Sequence, residues 1–284
     1  LLAWGLWLVG RTGRTPRSYA AAGVVLGLGA LTRAIGVLVP VVTGLWLRRR
    51  AAERRAWLVA AAWLVGASAV VIAPWTLRNQ VVVGSPAIVC FGGGLNFYFG
   101  HNPAGIGFRD LRQTPMADLR DQVAIDAMGY RLGLEHLAEA PFGFVTRGVR
   151  KLGALFAPPG YALHGNSAIL LPEGWQTDPD KGREAAVLRA RQRAKNRWLD
   201  GLLTHLASLH SYALLAAALA GVVGLWKRLP DELRLAVWLS LYWMGSHVVF
   251  WGQPRFRYPM EIFLALLAAF AIATWTGRRA PARR

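Results

Sequence analysis

The sequence predicts an all-α polytopic membrane protein with a mixed, mostly helical extracytoplasmic region. Three observations lead there. Mean hydropathy is +0.31, with 54% apolar residues and 13 Trp. Only 17% of residues are charged, against roughly a quarter in soluble globular chains. The basic residues also cluster in short loops between apolar stretches. Such hydropathy excludes intrinsic disorder, and a single cysteine, Cys90, excludes a disulfide scaffold. A formal charge of +18 would suggest nucleic acid on a soluble chain. Here its placement follows the excess of Lys and Arg in cytoplasmic loops, so no nucleic-acid partner is expected.

Residues 1–76 are expected to be membrane helices. Leu1 to Val9 is apolar from its first residue and reads as the tail of a span, in a piece of a longer protein. Residues 18–47 are apolar except for Thr32 and Arg33. As one straight helix they would run about 45 Å, too long for a core of about 30 Å, with Arg at the centre. Two short segments, Ser18–Leu31 and Ile35–Leu47, turning at Leu31–Thr32–Arg33–Ala34, fit better. Gly27, Gly29, Gly36 and Pro40 permit close packing and a bend. Trp57 to Trp75 then carries no charge.

Residues 205–284 are expected to hold three more membrane helices and a basic cytoplasmic tail: His205–Trp226, the slightly short Leu235–Trp251, and Pro259–Thr276 with Glu261 near its start. In this topology loops 10–17, 48–56 and 227–233 and the tail 277–284 share the cytoplasmic side. With Arg234 they hold fifteen Lys and Arg against Glu53, Asp231 and Glu232. An inner or plasma membrane location with a cytoplasmic C-terminus follows.

Residues 77–204 are expected outside. Val81 to Val89, β-branched and broken by Gly84, Ser85 and Pro86, suggests short extended segments. Phe91 to Phe108, rich in glycine and aromatics, suggests a shaped loop. Met116 to Glu139 has helical periodicity through Leu119, Val123, Ala127, Tyr130, Leu134 and Leu137. Asp110, Asp118 and Asp121 could supply a carboxylate pair; Asp118 and Asp121 fall on one helix face, which a solvated face also explains, and Pro141 ends the element. Phe142 to Ala157 reads as an amphipathic interfacial helix, because Arg147, Arg150 and Lys151 oppose a crossing. Lys181 to Trp198 reads as a strongly basic helix, either a solvated basic face over the headgroups or one that attracts anionic lipid or an acidic glycan.

Five motifs in order complete the pattern: Gly27-Leu-Gly-Ala-Leu-Thr-Arg33, Pro74-Trp-Thr-Leu-Arg-Asn79, Gly93-Gly-Leu-Asn-Phe-Tyr-Phe-Gly-His-Asn-Pro103, Glu139-Ala-Pro141 with Lys151-Leu152, and Pro254-Arg-Phe-Arg-Tyr-Pro259. Together they resemble a GT-C class membrane glycosyltransferase, similar to protein O-mannosyltransferases and aminoarabinose transferases (family 39-like). Ala34 stands where the family usually has Pro. The resemblance implies a GT-C-like fold. It also implies transfer of a hexosyl or pentosyl group from a polyprenyl-phosphate donor to an acceptor on the extracytoplasmic face. The catalytic acid is then expected upstream of Leu1, and this stretch by itself is expected to be inactive.

For such chemistry Arg255, Arg257 and Arg33 are the expected lipid-phosphate ligands, since guanidinium binds phosphate through bidentate charged bonds. Helix-end anchoring is the alternative reading of each, and of Arg78. Glu261, four residues after Arg257, either orients it or favours the helix N-terminus. Tyr258, Asn96, His101 and Asn102 are the candidate substrate contacts, with an interfacial Tyr and ordinary turn residues as the alternatives. No ligand spacing indicates a metal, and no cofactor is expected, although a divalent ion is compatible with the chemistry. Gly92–Gly94 lacks the Lys-Ser/Thr of a phosphate-binding loop. Cys90 reads as a small apolar filler. Two other functions remain open from sequence, a lipid or glycan transporter and a noncatalytic membrane scaffold. Membrane lipids, the sugar donor and an unnamed acceptor are the expected partners.

Overall fold

A computed structural model describes residues 1–11, 15–102, 114–156, 197–251 and 256–277. These are helical, with no strand among them. The elements are α1 (Leu2–Arg11), α2 (Pro16–Thr32), a 3-10 segment (Ala34–Leu38), α3 (Val39–Leu47), α4 (Arg54–Arg78), α5 (Gly93–His101), α6 (Gln122–Glu139), α7 (Gly143–Phe156), α8 (Arg197–Leu225), α9 (Asp231–Val249) and α10 (Tyr258–Trp275). Among the described residues, three helical stretches are long and apolar enough to cross a membrane: Arg54–Val83, His205–Arg228 and Tyr258–Trp275. The expected short span at Leu235–Trp251 falls on α9, whose first turn carries Asp231 and Glu232. It does not join those three. The chain divides into two compact units, Leu1–Lys151 with Arg228–Trp251, and Leu152–Lys227 with Gly252–Arg284.

In the first unit, residues 18–47 form a helical hairpin. Thr15 caps α2 with its side chain, Pro16 opens it, and Arg33 ends it in an extended conformation. The contacts set the directions. A Cβ on Gly23 would lie 2.3 Å from the Leu64 carbonyl, and one on Gly27 would lie 2.9 Å from that of Ser68. So α2 runs parallel to α4. Val37 packs beside Ile72, whereas Gly44 meets Ala61, so α3 runs back antiparallel. The indole of Trp57 donates to the Gly44 carbonyl at 2.7 Å and fixes that register.

At the end where α3 finishes, the indole of Trp46 donates to Asp231 O at 2.9 Å, and Arg50 pairs with Glu232 at 3.1 Å. Arg49 lies over the Trp238 ring. Loops 48–56 and 227–233 therefore meet at one end of this unit, opposite the Arg33 tip.

No extended segment forms over Val81 to Val89. Asn79–Val83 is a wide helical turn, and Gly84, at φ 74°, reverses the chain. The carbonyls that a strand would have paired are taken by α4 side chains. Thr76 Oγ1 donates to Ile88 O at 2.8 Å, Asn79 Nδ2 to Ala87 O at 2.9 Å, and Trp75 Nε1 to Val89 O at 2.6 Å. Trp75, Thr76 and Asn79 of the Pro74–Asn79 motif thus hold this return of the chain.

Two further expectations change. Residues 93–101 are helix α5 rather than loop, because their glycines let α5 lie directly on α6. A Cβ on Gly94 would sit 1.9 Å from the Asp126 carbonyl, and one on Gly129 would sit 2.5 Å from the Gly94 backbone. The helix after Met116 begins only at Gln122. Asp121 is its N-cap, accepting from Val123 N and Ala124 N, so Asp118 and Asp121 share no helix face. The buried side of α6 is Ile125, Gly129 and Gly133, while Leu134 is exposed.

In the second unit α8 and α10 run parallel. Gly221 lies against Ala271 at one end, and Ser211 meets Arg257 at the other. The expected helix at Lys181 to Trp198 lies outside the described residues up to Arg197, where α8 starts.

Candidate functional site

Arg33 is exposed at the hairpin tip. The tip is built by Ala30, Ile72 and Val89 with Leu31 and Val37 beside them. The phenol of Tyr242 on α9 donates to the backbone carbonyl of Ile35. The hairpin tip, the end of α4 and the latter half of α9 therefore assemble around a backbone break that carries a guanidinium.

Nearby in sequence to the Val89 turn, Gly92 (φ 101°) starts α5. Its N–H and that of Gly94 both donate to Asp126 Oδ1, at 2.9 and 2.7 Å. A carboxylate thus sits on the orphan amides of a helix start, where the dipole favours it. Sequence reasoning missed Asp126. Its position on α6 opposite a glycine run was the available signal.

At the other end of α5, His101 is fully buried. Its Nε2 lies 2.8 Å from Val249 O. A carbonyl only accepts, so Nε2 carries the proton and Nδ1 is the bare acceptor. That Nδ1 is buried with no partner among the described residues. The ring stacks on Phe144 at 5.7 Å and 6°. Lys151, also buried, donates to Val248 O at 2.7 Å. Two successive carbonyls at the end of α9 are thus satisfied by side chains of α7 and α5. Burial, then the Lys151 cation, lowers the His101 pKa to about 4. Burial, then Arg147, lowers that of Lys151 to about 8. Asn102, next to His101, is buried, whereas Asn96 is exposed on the opposite part of α5. The candidate sugar contacts therefore divide, with His101 and Asn102 built into the fold and Asn96 open to solvent.

The exposed face of α7 is its apolar stripe, as an interfacial helix would present it, and Lys151 lies on the inward face. Phe142 is 90% exposed, and Val145 and Val149 are exposed with it, while Phe144, Gly148, Lys151 and Leu155 turn inward or are buried. The apolar stripe faces out and a lysine faces in.

In the second unit Arg257 is 1% exposed. Its Nε donates to Glu261 Oε1 at 2.8 Å, Nη1 to Leu155 O at 3.2 Å and Nη2 to Ser211 Oγ at 2.9 Å. The Phe156 ring lies 6.0 Å away. Glu261 accepts from Arg257 and also lies in the first turn of α10, so both readings of it fit. Tyr258, the next residue, is half exposed. Arg255 lies outside the described residues. Arg33 belongs to the first unit, and Arg257 and Tyr258 to the second.

Arg78 turns back over the Trp75 ring at 5.3 Å and donates to Asn79 Oδ1. Cys90 is exposed and so is no core filler. Among the described residues no three of His, Cys, Asp and Glu come together as a metal centre. No family model, no curated protein and no solved structure matches the chain, so its chemistry is argued from these residues and from the motif order.

Proposed function

We propose that this chain is part of an integral, multi-pass inner-membrane glycosyltransferase that moves a sugar from a polyprenyl phosphate to an extracytoplasmic acceptor. The membrane part of the reading rests on how the helices pack. The three long apolar helices have only 22%, 17% and 33% of their most apolar window buried. Val70, Val223 and Leu266 point away from the protein, while glycines such as Gly23, Gly27 and Gly221 make the helix contacts. Small residues between helices and large apolar ones outside are the arrangement lipid favours.

The single observation that carries the site is Arg33, exposed at the tip of a helical hairpin whose arms lie on the apolar α4. A guanidinium at the boundary of apolar helices suits a lipid-linked phosphate. Arg33 would hold the phosphate as the sugar leaves, and Arg255 is a further phosphate ligand that the motif resemblance implies. Arg257, held by Glu261, Ser211 and Leu155, is taken up in the packing of its own unit. No acidic base is assigned within this chain.

The test is sugar transfer by membranes that contain the complete natural protein, supplied with radiolabelled polyprenyl-phosphate sugars. Label is expected to move into an envelope fraction. Arg33→Ala is expected to abolish transfer and Arg33→Lys to retain a fraction of it. Full transfer by Arg33→Ala at equal expression overturns the site. No transfer of any tested sugar by the wild type overturns the enzyme reading.

A further inference from the structure

We propose that the first unit binds one anionic phospholipid in a cleft at the end opposite the Arg33 tip, a site that goes beyond the transfer reaction. Two adjoining cavities lie there, of about 520 and 340 Å³. They share Tyr19, Ala56 and Ala60, so they form one cleft. The volumes fall in the range of ligand pockets, roughly 300–1,000 Å³. The cleft exists because its walls are small: Gly10, Ala51, Ala52, Ala56 and Ala60 leave a gap between the ends of α1 and α3 and the starts of α2 and α4.

The charges place the headgroup. Arg50 is the charged residue of the larger cavity. One of its Nη atoms bonds Glu232 at 3.1 Å, and its face lies 5.2 Å from the Trp46 ring. A guanidinium has five N–H donors, so this bond leaves most of the fork for a phosphate. The smaller cavity is lined by both Arg55 and Glu53, whereas no carboxylate lines the larger one. The phosphate therefore belongs beside Arg50. The acyl chain belongs along Pro16, Val59 and Ala60, where the wall is apolar.

The depth points to lipid rather than to a soluble anion. The cleft spans the border between Arg48–Arg55, with five Arg and one Glu, and the apolar stretch of α4 that begins at Trp57. Basic pockets between helices at that level recognise anionic headgroups, and Val9, Leu47 and Ala60 supply a wall a hydrated ion does not need.

The experiment is native mass spectrometry of the full chain in detergent, after incubation with dioleoylphosphatidylglycerol or dioleoylphosphatidylcholine. One phosphatidylglycerol per chain is expected to remain bound, with phosphatidylcholine removed. Arg50→Ala is expected to weaken retention about tenfold, the loss of a charged hydrogen bond. Ala56→Trp and Ala60→Phe fill the cleft and are expected to abolish retention. Arg49→Ala, outside the lining, is expected to keep it. Circular dichroism and elution volume show that each variant is folded. Equal retention of both lipids overturns the proposal, as does retention unaffected by Arg50→Ala and by both filling variants. Displacement of the lipid by millimolar inorganic phosphate alone overturns the lipid assignment in favour of a free-anion site.

Discussion

Arg257 donates through Nε to Glu261 Oε1 at 2.8 Å, one turn further along α10, and its two Nη groups reach Leu155 O and Ser211 Oγ. The guanidinium plane thus ties the last residues of α7 to α8 and α10 within the second unit. Each acceptor is needed, because a buried charge without partners is costly.

Arg257→Lys is therefore expected to destabilise the fold almost as much as Arg257→Met. A single ammonium cannot reach three acceptors spread around a plane. Glu261→Gln keeps the shape, removes the charge and is expected to cost about 1–3 kcal/mol. Thermal unfolding in detergent reads both. An unchanged Tm for Arg257→Lys contradicts the three-way bond.

The α5–α6 contact predicts a contrast among glycines. Gly94→Ala and Gly129→Ala place a Cβ within 1.9 and 2.5 Å of backbone atoms, so the helices must separate, at about 1–3 kcal/mol or more. Gly66→Ala and Gly245→Ala meet nothing within 4 Å. They are expected to stabilise by up to about 1 kcal/mol through helix propensity. Melting curves of the four variants should separate in pairs. Equal effects contradict the close approach.

His101 and Lys151 predict two pH windows. The folded His101 pKa is about 4 against 6.5 unfolded. The unfolded chain takes its proton first as pH falls. Stability from this group is present above pH 6.5 and is lost between 6.5 and about 4, with a slope of up to about 1.4 kcal/mol per pH unit. Lys151 has about 8 against 10.5. Both states are charged below 8, and between about 8 and 10.5 the unfolded state holds more proton, so stability rises with pH. Unfolding midpoints across pH should lose the acid slope in His101→Phe and the alkaline one in Lys151→Met. A slope that survives its own substitution assigns it to another group.

Asp126 predicts a graded series. Asp126→Ala strips Gly92 N and Gly94 N of their acceptor and is expected to cost about 2 kcal/mol. Asp126→Asn keeps an oxygen and loses only the charge, so it is expected to cost less than half as much. Hydrogen exchange of the α5 amides is the direct readout. Equal exchange in both variants argues against the carboxylate cap.

Several elements were legible because one local property decided them. The apolar runs of α4, α8 and α10 are long and apolar enough to cross a membrane by length and composition. The hairpin at residues 18–47 followed from an arginine in the middle of a stretch too long for one crossing, and the chain does break at Arg33. The region from Val81 to His101 was misread for a common reason. β-branched residues and glycines signal strands and loops only when nothing packs on them. Here Asn79, Thr76 and Trp75 take the carbonyls of residues 87–89, and α6 accepts the glycine face of α5.

The sequence by itself determined helical class, the apolar stretches, the break at Arg33 and the Arg257–Glu261 spacing, because composition and local periodicity carry these. Only the tertiary structure decided which faces are buried. It turned the glycines of α6 and Lys151 of α7 inward and left Leu134, Phe142 and Val145 outside. It also separated two arginines that look alike in sequence, leaving Arg33 exposed at a hairpin tip and burying Arg257 among its acceptors. Burial depends on which helix arrives opposite, and the partners of Arg257, Leu155 and Ser211, stand 102 and 46 residues away along the chain, beyond the reach of any local pattern.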